Sequence, residues 1–249
     1  MQDKKTDFGF KNVSISDKTD LVKRVFNNVA SRYDLMNDLM SGGLHRLWKK
    51  QFISRIPRHP GAKLLDVAGG TGDITLAYME NSRGLNTQAT IYDINEAMLE
   101  EGRTKAYDQN NFKNITWKCG PAEKLPFKDG TFDAYTISFG LRNVTEKEQA
   151  LTEAYRVLKP GGTFLCLEFS QVHDDTLQKL YDFYSLKVIP LMGKVVANDG
   201  DSYKYLVESI RRFPDQEALK GMIKDAGFTN VGHENLNKGV VAIHQGWKA

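Results

Sequence analysis

The chain has 249 residues, 41% hydrophobic and 26% charged, which excludes a disordered or fibrous protein and allows one substantial core. Its 34 basic and 31 acidic side chains leave a formal charge of +3, too balanced to predict nucleic acid as the main partner.

Residues 1–18 are polar and read as an arm. Residues 19–30 place Leu21, Val22, Val25, Phe26 and Val29 on one helical face, and 44–56 repeat this with Leu44, Leu47, Trp48, Phe52 and Ile56. Two helices are therefore expected before the first strand. From Lys63 the texture changes to short apolar runs, predicted as strands at 63–68, 89–94, 115–119, 132–138 and 162–168. The segments between them, 74–82, 96–107 and 147–158, read as helices. Such alternation predicts βαβ units, that is, an α/β chain with a mostly parallel sheet and helices on both faces. Lys159-Pro-Gly-Gly162 ends the last of these helices and feeds the fifth strand. The pattern then breaks into helical stretches at 175–189, 202–213 and 215–227. Two final strands near 229–235 and 239–245 lie close enough to pair antiparallel.

Cys119 and Cys166 both fall in predicted buried strands without a CxxC, and read as inert core thiols of a reducing compartment. The five histidines show no metal-ligand spacing, so no metal is expected. No apolar stretch reaches the roughly 18 residues of a membrane span. The N-terminus lacks a signal-peptide core and contains acids, unlike a transit peptide. A cytoplasmic chain is expected, although a mature mitochondrial-matrix protein without its presequence would read the same.

The chemistry-bearing residues begin with Asp66-Val-Ala-Gly-Gly-Thr-Gly72, a loop between a predicted strand and a predicted helix. Glycines let the backbone approach a ligand, and a helix start offers N–H groups. A dinucleotide fingerprint would use Gly70 and Gly72 but needs a third glycine where Thr75 stands. Asp66 would also repel a pyrophosphate, while it suits the ammonium of a methionine moiety. S-adenosylmethionine is thus the predicted cofactor, with Asp66, Ala68, Gly70, Thr71 and Gly72 as its loop. Asp93 ends the second strand, where an acid can accept both ribose hydroxyls. Ile94 and Met98 follow; Met98 packs either adenine or core. Gly120-Pro-Ala-Glu-Lys-Leu-Pro-Phe127 borders the adenine edge or is simply a turn. Ser138-Phe-Gly-Leu-Arg-Asn-Val144 leaves the fourth strand at the carboxyl edge of the sheet, where ligands of open α/β folds bind. That places Arg142 and Asn143 on a loop near the acceptor, unless the loop is merely solvated.

Beyond these readings, several runs resemble one family. They are Phe8-Gly-Phe10, Tyr33-Asp-Leu-Met-Asn-Asp38, Leu44-His-Arg-Leu-Trp48, the Asp66–Asp73 loop and Ile137–Val144. Val157–Gly162, Glu168-Phe-Ser170, Asp201–Ile210 and Phe213–Gln216 belong with them. Together they resemble the ubiquinone/menaquinone biosynthesis C-methyltransferase family, most of all its alphaproteobacterial members, from about residue 7 to the end. The resemblance implies the class I methyltransferase fold, with a seven-stranded sheet whose final hairpin contributes an antiparallel strand. It implies cofactor contacts from Thr71, Asp93, Pro121, Ala122 and Ser138. It further implies a polyprenyl benzoquinol or demethylmenaquinol as substrate, methylated at a ring carbon. Arg142 is then expected to stabilise a phenolate and orient a water that takes its proton, with Asn143 holding the ring oxygen. Tyr33 closes the site or packs. Pro121 departs from the family, which has Asn or Asp there; proline offers neither a side-chain polar group nor an N–H.

The resulting organisation has an N-terminal arm and helices over the active site (1–56) and a cofactor-binding Rossmann-like core (57–170). A helical substrate-region insertion (171–213) and a C-terminal helix with a strand pair (214–249) complete it. Leu177, Leu180, Tyr181, Tyr184, Val188, Ile189 and Met192 in the insertion form either core or a channel for the isoprenoid tail. His45, Arg46, Lys49 and Lys50 read as a solvated helix face, with contact to anionic lipid as the rival. Peripheral membrane contact follows from the substrate's solubility. The sequence leaves open a homodimer and association with other quinone-pathway enzymes. It also leaves open another small-molecule acceptor and a non-catalytic scaffold.

Overall fold

The apolar run around Leu64 and Leu65 is buried on both faces of its strand, β3 (Lys63–Val67), as a central strand covered on both sides demands. The computed structural model describes residues 5–29, 37–38, 41–172 and 200–249. The other strands of the main sheet are β4 (Gln88–Asp93), β5 (Ile115–Cys119), β6 (Phe132–Ser138), β7 (Leu158–Phe169), β8 (Thr229–Leu236) and β9 (Val241–Trp247). They lie in the order β5-β4-β3-β6-β7-β9-β8. The first five are mutually parallel, while β9 runs antiparallel to both of its neighbours. This is the mostly parallel seven-stranded sheet expected.

The helices are α1 (Ile15–Val29), α2 (His45–Ile53), α3 (Asp73–Asn81), α4 (Glu96–Asp108), α5 (Lys147–Val157), α6 (Gly200–Arg212) and α7 (Gln216–Asp225). Alternate strand residues divide between two cores. Leu64, Leu165, Leu167 and Ile243 meet Trp48, Phe52, Tyr78, Tyr203 and Leu206 of α2, α3 and α6. Leu65, Val67, Tyr135, Phe164 and Cys166 meet Leu151, Ala154, Leu219 and Ile223 of α5 and α7. Period-two alternation thus distributes one strand's side chains to two layers. Side-chain caps start α4 and α7: Asn95 Oδ1 accepts from Met98 N at 3.2 Å, and Asp215 Oδ1 from Ala218 N at 2.8 Å.

Three expectations need correction. The polar arm contains a hairpin, β1 (Lys5–Phe8) with β2 (Lys11–Ser14), and α1 begins at Ile15 rather than residue 19. Its strands are too short and polar to show a period, and tertiary contacts hold it. Phe10 N donates to Glu208 Oε2 at 3.1 Å, and Phe8 stacks on Tyr205 with ring centroids 4.1 Å apart. Ser14 Oγ, accepting from Asp17 N at 3.1 Å, is a start signal the periodicity did not reveal. Second, Cys119 is exposed, because β5 is an edge strand; Cys166 is buried. Third, β7 starts at Leu158, pairing with Phe132 before a register shift across Pro160-Gly-Gly162. The predicted helix at 175–189 and the apolar stripe from Leu177 to Met192 lie outside the described residues.

Candidate active site

Strand order reverses beside β3, with β4 on one side and β6 on the other, so the carboxyl ends of these strands frame a crevice. The loop after β3 is shaped by backbone conformation. Gly70 (φ 53°) and Gly72 (φ 81°) are left-handed, and a Cβ at Gly72 would lie 2.9 Å from Ile91 Cδ1. Ala68 (φ 51°) and Phe139 (φ 53°) adopt the same region without being glycine, a strain concentrated in the two loops that face each other. Their approach is close: a Cβ at Gly140 would overlap the Ala68 methyl.

Three carboxylates surround this loop. Asp66 is buried, and its two oxygens accept from Thr75 Oγ1 and Thr136 Oγ1, each at 2.8 Å. Burial pushes its carboxyl up to about 6 against the two threonine bonds, and the charges of Asp93 and Asp73 push the same way. Asp93 accepts from Gly70 N at 2.9 Å and Asn95 N at 2.8 Å, yet burial still raises it to about 6. Burial would raise Asp73 too, but Lys49 at 2.7 Å and Lys105 at 2.5 Å outweigh it and hold that carboxyl well below its usual range. Asp73 is thus neutralised by its lysines, whereas Asp66 and Asp93 have no ion-pair partner among the described residues, so their side of the crevice favours a cation and disfavours a pyrophosphate.

A cavity of about 450 Å³ opens on this edge, within the range of small-ligand sites. Its wall includes Ala68, Gly70, Asp93, Ile94, Met98, Pro121 and Ala122. Helix α1 adds Ile15, Val22 and Phe26, and the loop after β6 adds Phe139, Gly140, Asn143 and Val144. A smaller recess of about 30 Å³ is lined by Asp66, Ala68, Gly70, Thr71, Ser138, Phe139 and Lys49, among others. Ser138 Oγ is buried there without a hydrogen-bond partner among the described residues.

The short 3₁₀ turn Leu141–Asn143 carries the expected acceptor-side pair, and its two members differ. Asn143 lines the cavity, and its Oδ1 accepts from Tyr205 Oη at 3.0 Å. Arg142 is buried rather than solvated. Its Nη1 lies 2.9 Å from Glu168 Oε1 and also donates to Phe139 O, while its backbone N donates to Glu168 Oε2 at 3.2 Å. Burial pushes the Glu168 carboxyl up, and Arg142 opposes this. Arg142 Nε is buried with no hydrogen-bond partner among the described residues. The turn is further pinned by Glu123 Oε1, which accepts from Thr145 N at 3.0 Å, and by Lys18 Nζ, 3.4 Å from Val144 O.

The structure therefore brings Ala68, Gly70, Asp93, Ile94, Met98, Pro121, Ala122 and Asn143 to the larger cavity, and Asp66, Thr71 and Ser138 to the recess beside it. Gly72 lines neither; it caps α3 and packs near Ile91 and Trp117. Tyr33 lies outside the described residues. Glu168, Tyr205 and the α1 face were not read as site residues. Each reaches the site from a distant segment, which spacing along the chain does not report. The basic run of α2 is the solvated face expected only at Arg46 and Lys50, which are exposed; His45 and Lys49 turn inward. His45 is buried, and its Nε2 lies 2.8 Å from Asp38 Oδ1, with Arg46 bound to the same carboxylate and Lys49 to Asp73.

The model of the ubiE/COQ5 methyltransferase family matches residues 12–248. The chain belongs to this family. It is 54% identical over 246 residues to the ubiquinone/menaquinone biosynthesis C-methyltransferase UbiE of Ruegeria sp., covering 99% of this chain and 98% of that protein. To the mitochondrial 2-methoxy-6-polyprenyl-1,4-benzoquinol methylase of Mus musculus it is 51% identical over 275 residues, covering 98% of this chain and 84% of that one. A SAM-dependent methyltransferase of Thermotoga maritima shares the fold with a TM-score of 0.64 at 21% identity, covering 91% of this chain and 99% of its own. One of Aquifex aeolicus does so with a TM-score of 0.60 at 17% identity, covering 87% and 98%. The sheet is thus the class I methyltransferase fold, and family membership makes this chain a methyltransferase.

Proposed function

We propose that this family member methylates a ring carbon of a polyprenyl quinol, either a benzoquinol of the ubiquinone pathway or a demethylmenaquinol, with S-adenosylmethionine as methyl donor. The observation that carries the reading is one cavity wall-to-wall between the Asp93 carboxylate and the Asn143 amide, with the apolar face of α1 along it. Asp93 suits ribose hydroxyls, Ile94 and Met98 suit the adenine faces, and the recess with Asp66, Thr71 and the unpartnered Ser138 Oγ suits the methionine end. Pro121 leaves the adenine edge to the Ala122 N–H. S-adenosylmethionine supplies an electrophilic methyl on a sulfonium sulfur.

The acceptor must be the reduced quinol, because a quinone ring is electron-poor. Loss of the phenolic proton moves electron density to the ortho carbon. That carbon forms the new C–C bond as the methyl–sulfur bond breaks, and its own hydrogen then leaves as a proton. The chain's task is placement and stabilisation of the phenolate. Asn143 holds the ring oxygen. Arg142 stays protonated and is no base; it lines neither cavity, and with Glu168 fixing its Nη1 we assign it the support of the phenolate and of the proton-accepting water from behind the Phe139–Asn143 turn.

For the isoprenoid tail we propose peripheral contact with a bilayer through α2, which exposes Leu44 (38%) and Leu47 (63%) beside Arg46 and Lys50. The test of the whole reading is mass spectrometry of quinones from cells lacking the protein and from complemented cells. Accumulation of a quinol precursor lacking one ring methyl, reversed on complementation, is expected. An unchanged quinone pool, or an O-methylated product from the purified enzyme, would overturn it.

A further inference from the structure

A carboxamide has a donor end and an acceptor end, and nothing in its shape distinguishes them. Which end Asn143 turns to the cavity is therefore decided by what holds the other. Tyr205 holds it: this tyrosine of α6 is 4% exposed, and its phenol O–H donates to Asn143 Oδ1 at 3.0 Å. Among the described residues that is the hydrogen bond the hydroxyl makes. A flipped amide would offer its NH₂ to the phenol oxygen and leave the buried phenol proton without a partner. Burial pushes the Tyr205 phenol well up, against the nearby Arg142 charge, so it stays a donor across the working range. The ring itself is fixed by the stacked Phe8, at 4.1 Å and 15°, and by Val22 and Val25 of α1.

We infer that Tyr205 is a positioning residue that sets the polarity of the acceptor site, turning the Asn143 carbonyl toward α6 and leaving its NH₂ to donate into the cavity. A wall that donates recognises a ring oxygen arriving as an anion or a lone-pair acceptor, and disfavours one that must itself donate. The inference rests on the reading above that Asn143 meets the acceptor. It adds the residue that selects the phenolate form, drawn from a segment 62 positions away.

The test uses the full-length enzyme with a short-tailed 1,4-benzoquinol and four forms: the parent, Tyr205→Phe, Asn143→Ala and the double variant. The phenylalanine keeps the stack on Phe8 and removes only the hydroxyl. Cofactor Kd, measured by calorimetry, reports that each variant is folded. Tyr205→Phe is expected to lower kcat about ten-fold, roughly the worth of one oriented hydrogen bond, with cofactor Kd unchanged. The acid limb of its kcat–pH profile should move to higher pH, because an amide free to present its oxygen disfavours the phenolate. In the Asn143→Ala background the same change should cost less than about two-fold, since Tyr205 then has nothing to orient. Multiplicative losses in the double variant, or an unmoved pH limb, would show that Tyr205 only packs and would overturn the inference. Full turnover in Asn143→Ala would instead sink the reading on which it rests, and the two failures are told apart by that single variant.

Discussion

The Asp66 and Asp93 carboxyls titrate near 6 in the folded chain against an ordinary 3.8, and this gives the protein two opposed pH dependences. A raised carboxyl pKa means that protonation favours the fold. That contribution is complete below about 3.8 and lost as pH rises through about 6. Cofactor recognition runs the other way, since ribose hydroxyls and a sulfonium both want carboxylates. Affinity for S-adenosylmethionine should therefore be weaker near pH 5 than near pH 8 by at least about ten-fold. Calorimetric titration at the two values checks this, and a flat profile would remove these acids from the cofactor site. Arg142 and Glu168 give a second expectation, because their side chains are only 4% and 2% exposed. Arg142→Met strands a buried carboxylate and should cost about 3–5 kcal/mol, whereas Arg142→Met with Glu168→Leu should recover most of it. Urea unfolding of the three proteins measures the difference. Activity should stay lost in the double variant, separating the pair's structural worth from its part in the reaction. Asp66, Asp93 and Asn143 were legible as single letters because each ends a strand or opens a loop. Glu168 was not, since its meaning lies in a partner 26 positions earlier.

At the scale of elements, the strands were legible wherever both faces are buried. β3, β4 and β6 are apolar runs with no competing period, and their observed ends fall within a residue or so of those read from sequence. The β1–β2 hairpin was illegible for the opposite reason. Its four-residue strands are largely exposed, and what holds them is Glu208 and Tyr205, far along the chain. Helix α2 shows how periodicity can mislead about a face. Leu44 and Leu47 fit the apolar stripe yet are exposed, while His45 beside them is buried. If that exposed pair meets lipid, Leu47→Glu should weaken cosedimentation with anionic vesicles by at least several-fold, with turnover of a short-tailed soluble quinol unchanged. Equal sedimentation of both forms would place the membrane contact elsewhere.

For the molecule as a whole, the crevice collects the ends of β3, β4 and β6 together with α1, so a ligand there ties segments far apart in the chain. Such a ligand binds only the folded form. At a hundred times its Kd it should stabilise the protein by about 2.7 kcal/mol, which for a chain of this size is roughly a 5–10 °C rise in Tm. S-adenosylmethionine should produce that shift and NAD none, as read by calorimetric scanning. An equal shift with NAD would contradict the argument from Asp66 and Asp93.

The overlap between Gly140 and the Ala68 methyl also constrains how such a chain can change over time. Gly140 has φ −119°, a conformation any residue adopts, so its backbone does not demand glycine. Only the neighbouring methyl does. A relative with glycine at position 68 would be free to carry alanine at 140, and this chain is not. The two sites share room for one methyl group, so the order in which they mutate decides which ancestors were viable, and neither residue's tolerance can be judged without knowing the other.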